Sequence, residues 1–112
     1  MKRVLAIALL SLSSTITYAG DASGAGKITM LNIPATGDFV AIKFSQDIKN
    51  QGCGDNTMYL LETPADGSAD QAYSALLSAY MAKTTVSFWI SGCTTVEPWG
   101  KTWPKVFDVY LH

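Results

Sequence analysis

The sequence predicts a small, mostly β domain carrying one helix, in the element order β-β-β-α-β-β. Three observations lead there. Tyr73, Leu76, Leu77, Tyr80 and Met81 stand at i, i+3, i+4, i+7 and i+8, one apolar stripe at helical spacing. Five other short segments are rich in β-branched and aromatic residues and are bounded by Gly, Pro, Asn or Asp. The cysteines are two, Cys53 and Cys93, an even pair that reads as one disulfide in an exported chain.

Taken in order, Met1 to Ala19 has the parts of a secretory signal peptide. Lys2 and Arg3 start it, Val4 to Leu12 form its apolar run, and Thr17-Tyr18-Ala19 is a fitting cleavage site. The apolar run is well short of the ~20 residues that span a bilayer, so a membrane anchor fits less well. Residues 20–112 then form a single domain with room for a modest core.

Gly20 to Gly26, GDASGAG, is small and polar and reads as a flexible lead-in. Strands follow at Lys27–Ile33 and Phe39–Ser45, separated by the turn residues Pro34 to Asp38. In the second strand Val40, Ile42 and Phe44 share one face, and Phe39, Ala41 and Lys43 the other. A polar loop, Gln46 to Asn56, carries Cys53, and Thr57–Glu62 is the third strand. The turn Thr63 to Gly67 delivers the chain to Ser68, an N-cap residue with Gln71 placed to close a capping box. The helix is expected over about 68–83, with Ala72, Ala75, Ala79 and Ala82 as a smooth flank. In a ring of subunits that flank would be a surface where neighbouring helices approach.

The fourth strand is Thr85–Ser91, leading to Cys93, and the last is Lys105–Leu111. Between them lies TTVEPWGKTWP, a loop holding Trp99, Lys101 and Trp103. Five strands with one helix between the third and fourth is the order of an OB-fold, a small Greek-key barrel in which the helix plugs the end. The alternative is a helix laid on an open antiparallel sheet. Phe39, Phe44, Phe88 and Phe107 occupy strand positions expected in the core. Trp89 faces away from Phe88, and Asp108 marks the exposed face of the last strand.

Charge narrows the partners. Eight basic residues include Lys2 and Arg3, which leaves six lysines against nine carboxylates in residues 20–112, a net charge of about −3. A domain without arginine and with net acidity is unsuited to nucleic acid or to an anionic lipid surface. No stretch after Ala19 is long and apolar enough to span a membrane.

No catalytic constellation stands out. The one histidine, His112, ends the chain, where a frayed residue makes a poor base or ligand. A zinc site, a nucleophile elbow and a phosphate loop are all missing from the pattern, so no metal or cofactor is expected. Asp47, Asp55, Asp66 and Asp70 sit in turns and read as solvated rather than as a glycosidase pair. A redox role for the cysteines would need close spacing such as C-x-x-C. The remaining signal is aromatic. Trp99 and Trp103 around Lys101 could form a shallow platform for a sugar or a protein, or could simply cap one end of the barrel.

The layout resembles a family. The lead-in GDASGAGKIT, the strand FVAIKF, the helix QAYSALLSAYMAKT, the strand TVSFWIS and the W-x-x-x-W-P loop fall in the order found in B subunits of bacterial toxins of the subtilase-cytotoxin and pertussis-like kind. The resemblance implies an OB-fold, a secreted and non-enzymatic protein, a ring-shaped homopentamer and binding to cell-surface glycans. The family's sugar-binding serine and acid precede its first strand, and Ser23 and Asp21 are the nearest positions here. The chain departs in being shorter, in holding only two cysteines and in placing Cys53 in a loop of its own. Without the resemblance, a small periplasmic inhibitor or protein-interaction domain fits the same residues.

Overall fold

The computed structural model describes residues 20–112, so the expected signal peptide over 1–19 lies outside the described residues. The elements are β1 (Asp21–Ala22), β2 (Ile28–Asn32), β3 (Phe39–Phe44), β4 (Tyr59–Glu62), α1 (Asp70–Ala82), β5 (Val86–Cys93) and β6 (Pro104–Leu111), with a 3-10 turn at Pro98–Gly100. The strands form one six-stranded mixed sheet in the order β1-β5-β6-β4-β3-β2. All pairs are antiparallel except β4 with β6, which run parallel through Leu60 and Lys105. Among the described residues no helix is long and apolar enough to cross a membrane.

The expected mostly β fold with one helix is present, but the strand count and closure are corrected. Among the described residues there are six strands rather than five, and the sheet is not closed into a barrel. The sixth strand comes from the lead-in. Asp21 and Ala22 pair with Ile90 and Trp89. Ser23 is buried, its amide donates to the Phe88 carbonyl at 2.9 Å, and Gly26 bridges Val86. Small residues permit this close approach: a Cβ at Gly20 would run into the Trp89 ring of β5, and at Gly26 one would stand 2.7–2.9 Å from Ser45, Phe44 and Gln46 atoms at the end of β3. Gly24, at φ +81°, breaks the strand between its two halves.

Alternation along β3 and β4 builds two clusters, one on each side of the sheet. Val40, Ile42, Tyr59 and Leu61 enter the main core with Ile28, Leu76, Val86, Phe88, Ile90 and Val106. Phe39, Ala41 and Leu60 point the other way and meet Trp103. Both faces of β3 are therefore covered, as the expected split of its residues requires.

The helix starts later than expected, at Asp70, with Ala69 at the cap position and no side-chain cap. Asp66 explains the shift, because its carboxylate accepts the Ser68 amide at 2.9 Å and holds Ser68 in the preceding turn. At the other end Lys83 takes a left-handed conformation, and the Thr84 amide returns to the Ala79 carbonyl at 3.0 Å. Lys27 closes this end across the fold, its ammonium donating to the Lys83 carbonyl at 2.8 Å and to Thr85 Oγ1 at 3.2 Å.

The helix is also rotated relative to the expected stripe. Leu76 and Ala79 are buried, and Ala69, Ala72 and Tyr73 pack beside them on the core. Tyr80 is exposed, and Met81 is 78% exposed. Two of the four flank alanines, Ala72 and Ala79, thus lie against the helix's own sheet beside Leu76, while Ala75 stays half-buried and Ala82 is exposed.

Phe107 is the last correction to the core. It is 63% exposed. Asp108 faces Trp89 and Val106 faces Ile90, so β6 spends one extra residue against β5 and Phe107 is that bulged residue. Asp108 is exposed and Trp89 lies outside Phe88, both as expected.

Candidate functional site

The loop between β5 and β6 begins at a covalent tie. Cys53 and Cys93 are bonded, with Cα atoms 5.6 Å apart and a sequence separation of 40. The tie lashes the loop before β4 to the end of β5. Hydrogen bonds extend it: the Gly54 amide donates to Thr102 Oγ1 at 2.9 Å, and the Asp55 amide to the Thr102 carbonyl at 3.0 Å. Asp55 Oδ1 accepts from the Thr57 hydroxyl and amide, and Oδ2 from Lys101 at 3.3 Å. These donors, the Thr57 hydroxyl first, hold the Asp55 carboxyl below the usual carboxylate range.

Glu62 fixes the other side of the loop. Its Oε2 accepts the Thr95 amide at 2.9 Å, the Val96 amide at 3.0 Å and the Thr95 hydroxyl, and its Oε1 meets Lys105 at 3.0 Å. Burial works to raise the Glu62 carboxyl, but the bonds from Thr95, Lys105 and Val96 together outweigh it and hold the group below its ordinary range. One carboxylate at the end of β4 therefore organises the first turn of the loop.

Held at both sides, the loop separates the two tryptophans. Trp103 is buried in the small cluster, its Nε1 donating to the Pro98 carbonyl at 3.2 Å. Trp99 is 58% exposed. Its ring meets Phe39 at 5.5 Å and Trp103 at 5.7 Å, both edge to face. Trp99 also sits at φ 59°, the left-handed region, which costs roughly 1–2 kcal/mol for a residue with a Cβ. The two tryptophans are thus not one platform. Trp103 is the seat, and Trp99 is the part presented outward.

Asp21 and Ser23 belong to a different region. They lie on and just after β1, which has β5, β6 and β4 between it and β3 in the sheet order. Asp21 is exposed. Ser23 Oγ accepts the Phe88 amide at 2.8 Å and donates to the Gly24 carbonyl at 2.8 Å, so its hydroxyl is used inside the fold. His112 is tied down rather than frayed, its amide donating to the Thr85 carbonyl at 3.0 Å and its Nε2 lying 2.9 Å from Ser87 Oγ.

Next to the tryptophan loop lies a cleft of about 1210 Å³. The start of α1, the turn before β3, Thr95 and Val96, and residues 105–107 of β6 surround it, with Tyr73, Phe107, Asp38 and Asp70 among its walls. Sequence reasoning did not find this cleft, because its parts come from four separate segments. A local signal did exist in β6: Val106 and Val109 both turn inward with two residues between them, a break in period 2 that marks a bulge.

No family model, curated protein or solved structure matches this chain.

Proposed function

We propose that this chain is an exported, non-enzymatic binding module that uses Trp99 to contact a cell-surface glycan. The presentation of Trp99 is the observation that carries this reading. An exposed indole in a costly backbone conformation persists only because Phe39, Trp103, the disulfide and Glu62 over-determine the loop around it. An exposed aromatic ring suits a sugar, whose C–H face stacks on it, and Lys101, two residues further along the loop, offers a polar group for the hydroxyls.

An OB-type arrangement is part of the same reading. Residues 21–32 serve as one interrupted strand, pairing with β5 by the first half and with β3 by the second. This supports a partly open barrel with α1 between β4 and β5. The resemblance to toxin B subunits then adds a glycan ligand and a ring of copies. Export accounts for the disulfide, which an oxidising compartment sustains.

A glycan array probed with the processed chain and with Trp99→Ala tests the ligand. Binding to at least one glycan class is expected, with loss in the variant. An array that stays blank, or signals that survive the substitution, would remove the glycan reading and leave a protein-interaction domain.

A further inference from the structure

We infer that the glycan stacked on Trp99 carries a free amino sugar, whose ammonium enters the neighbouring cleft and meets the carboxylates of Asp38 and Asp70. This rests on the glycan reading above and adds the chemical class of the sugar.

Phe39 joins the two surfaces. Its ring meets Trp99 at 5.5 Å, and the same residue lines the cleft together with Thr95 and Val96 of the tryptophan loop. A chain of sugars lying on Trp99 therefore passes into the cleft by way of Phe39. At about 1210 Å³ the cleft exceeds the roughly 300–1,000 Å³ of common ligand pockets, so it has room for more than one sugar ring.

The charge of the cleft selects the sugar. The charged residues along its walls are Asp38, Glu62, Asp70 and Lys105. Glu62 and Lys105 neutralise each other in an ion pair of 3.0 Å. Among the described residues the other ion pair is Lys101–Asp55, so Asp38 and Asp70 enter none, and both are exposed. The start of α1 also lines the cleft, and the positive end of its dipole, about half a charge, acts against them. Two carboxylates outweigh it, and the cleft keeps a negative balance.

The remaining walls suit the same group. Tyr73 is half-buried and Phe107 is 63% exposed, and both rings belong to the cleft. An ammonium is drawn to aromatic faces as well as to carboxylates. A sugar acid would meet the carboxylates as like charges, and an N-acetylated sugar would leave their charge unanswered.

Two probes with one backbone test this: a β-1,4-linked glucosamine tetramer and its fully N-acetylated form. Each is titrated calorimetrically into the processed chain at mildly acidic pH, where amines are protonated and carboxylates ionised. The free amine form should bind about 10-fold tighter, and the difference should shrink in ~1 M salt, where screening acts over about 3 Å. Asp38→Asn with Asp70→Asn should abolish the difference while keeping the wild-type near-UV circular dichroism. Asp47→Asn with Asp108→Asn removes the same charge outside the cleft and should preserve it. Equal or tighter binding of the acetylated tetramer would overturn the inference, as would a preference that survives loss of Asp38 and Asp70. Silence of both tetramers would overturn it too, while the glycan array decides the glycan reading on its own.

Discussion

The two hydrophobic clusters on either side of the sheet are built by different means. The main core is made by regular elements: alternate residues of β3, β4 and β5 and one face of α1 converge on Phe88, Tyr59 and Leu76. The small cluster has a sheet floor of Phe39, Ala41 and Leu60, but its lid is a loop. That lid has little periodic structure and is held by a disulfide, the Glu62 carboxylate and the Thr102 contacts. Packing alone makes the first cluster, and tethers make the second. The tethered one presents the exposed tryptophan.

Cutting into each cluster separates the two. Phe88→Ala should cost about 3–5 kcal/mol in urea unfolding, because it empties a fully buried ring site between Phe44 and Tyr59. A loss under ~1 kcal/mol would mean that the main core is not the one described. Replacing both cysteines by serine should cost about 3 kcal/mol and flatten the near-UV tryptophan signal of the loop, with far-UV circular dichroism unchanged. Loss of the β signal as well would make the tethered cluster essential to the core.

This contrast also explains what the sequence revealed. The inward faces of β3 and β5, the burial of Phe88 and the pairing of Cys53 with Cys93 follow from period 2 and from cysteine arithmetic, and all are present. Periodicity fails where a tertiary contact outweighs it. Asp66 captures Ser68 and delays the helix, close helix-to-sheet approach favours Ala72 and Ala79 over Met81, and a bulge expels Phe107. The lead-in GDASGAG reads as flexible because small residues carry no pattern, yet smallness is what lets it lie against β5. At the site, Trp99 and Trp103 look equivalent in sequence. Only the Pro98 carbonyl and the floor of Phe39 and Leu60 make one a seat and the other a contact.

Smaller effects sharpen the role of the tethers. Glu62→Gln should cost about 1–3 kcal/mol, since two amides and a hydroxyl lose a charged acceptor. The pH dependence has a definite sign. Folding holds the Glu62 carboxyl below its ordinary value of 4.5, so its contribution is complete above that pH and is lost as pH falls through the lower folded value. Wild type should therefore destabilise more steeply than Glu62→Gln as pH drops below about 4.5, in thermal melts across that range. Parallel curves would show that Glu62 is not the titrating tether. Ser23→Ala should cost about 1 kcal/mol by leaving the Phe88 amide without its side-chain acceptor.

Trp99→Ala should have the smallest effect on stability, under about 1 kcal/mol, because the ring is 58% exposed and alanine keeps the Cβ, which leaves the backbone cost as it was. The same substitution tests the central claim most directly when binding is measured. Calorimetric titration of the best-bound glycan into wild type, Trp99→Phe and Trp99→Ala should show weakening in that order, with the alanine variant at least ~10-fold weaker at unchanged melting temperature. Equal affinity in all three proteins would contradict the account, and the loop would then be only the lid of its cluster.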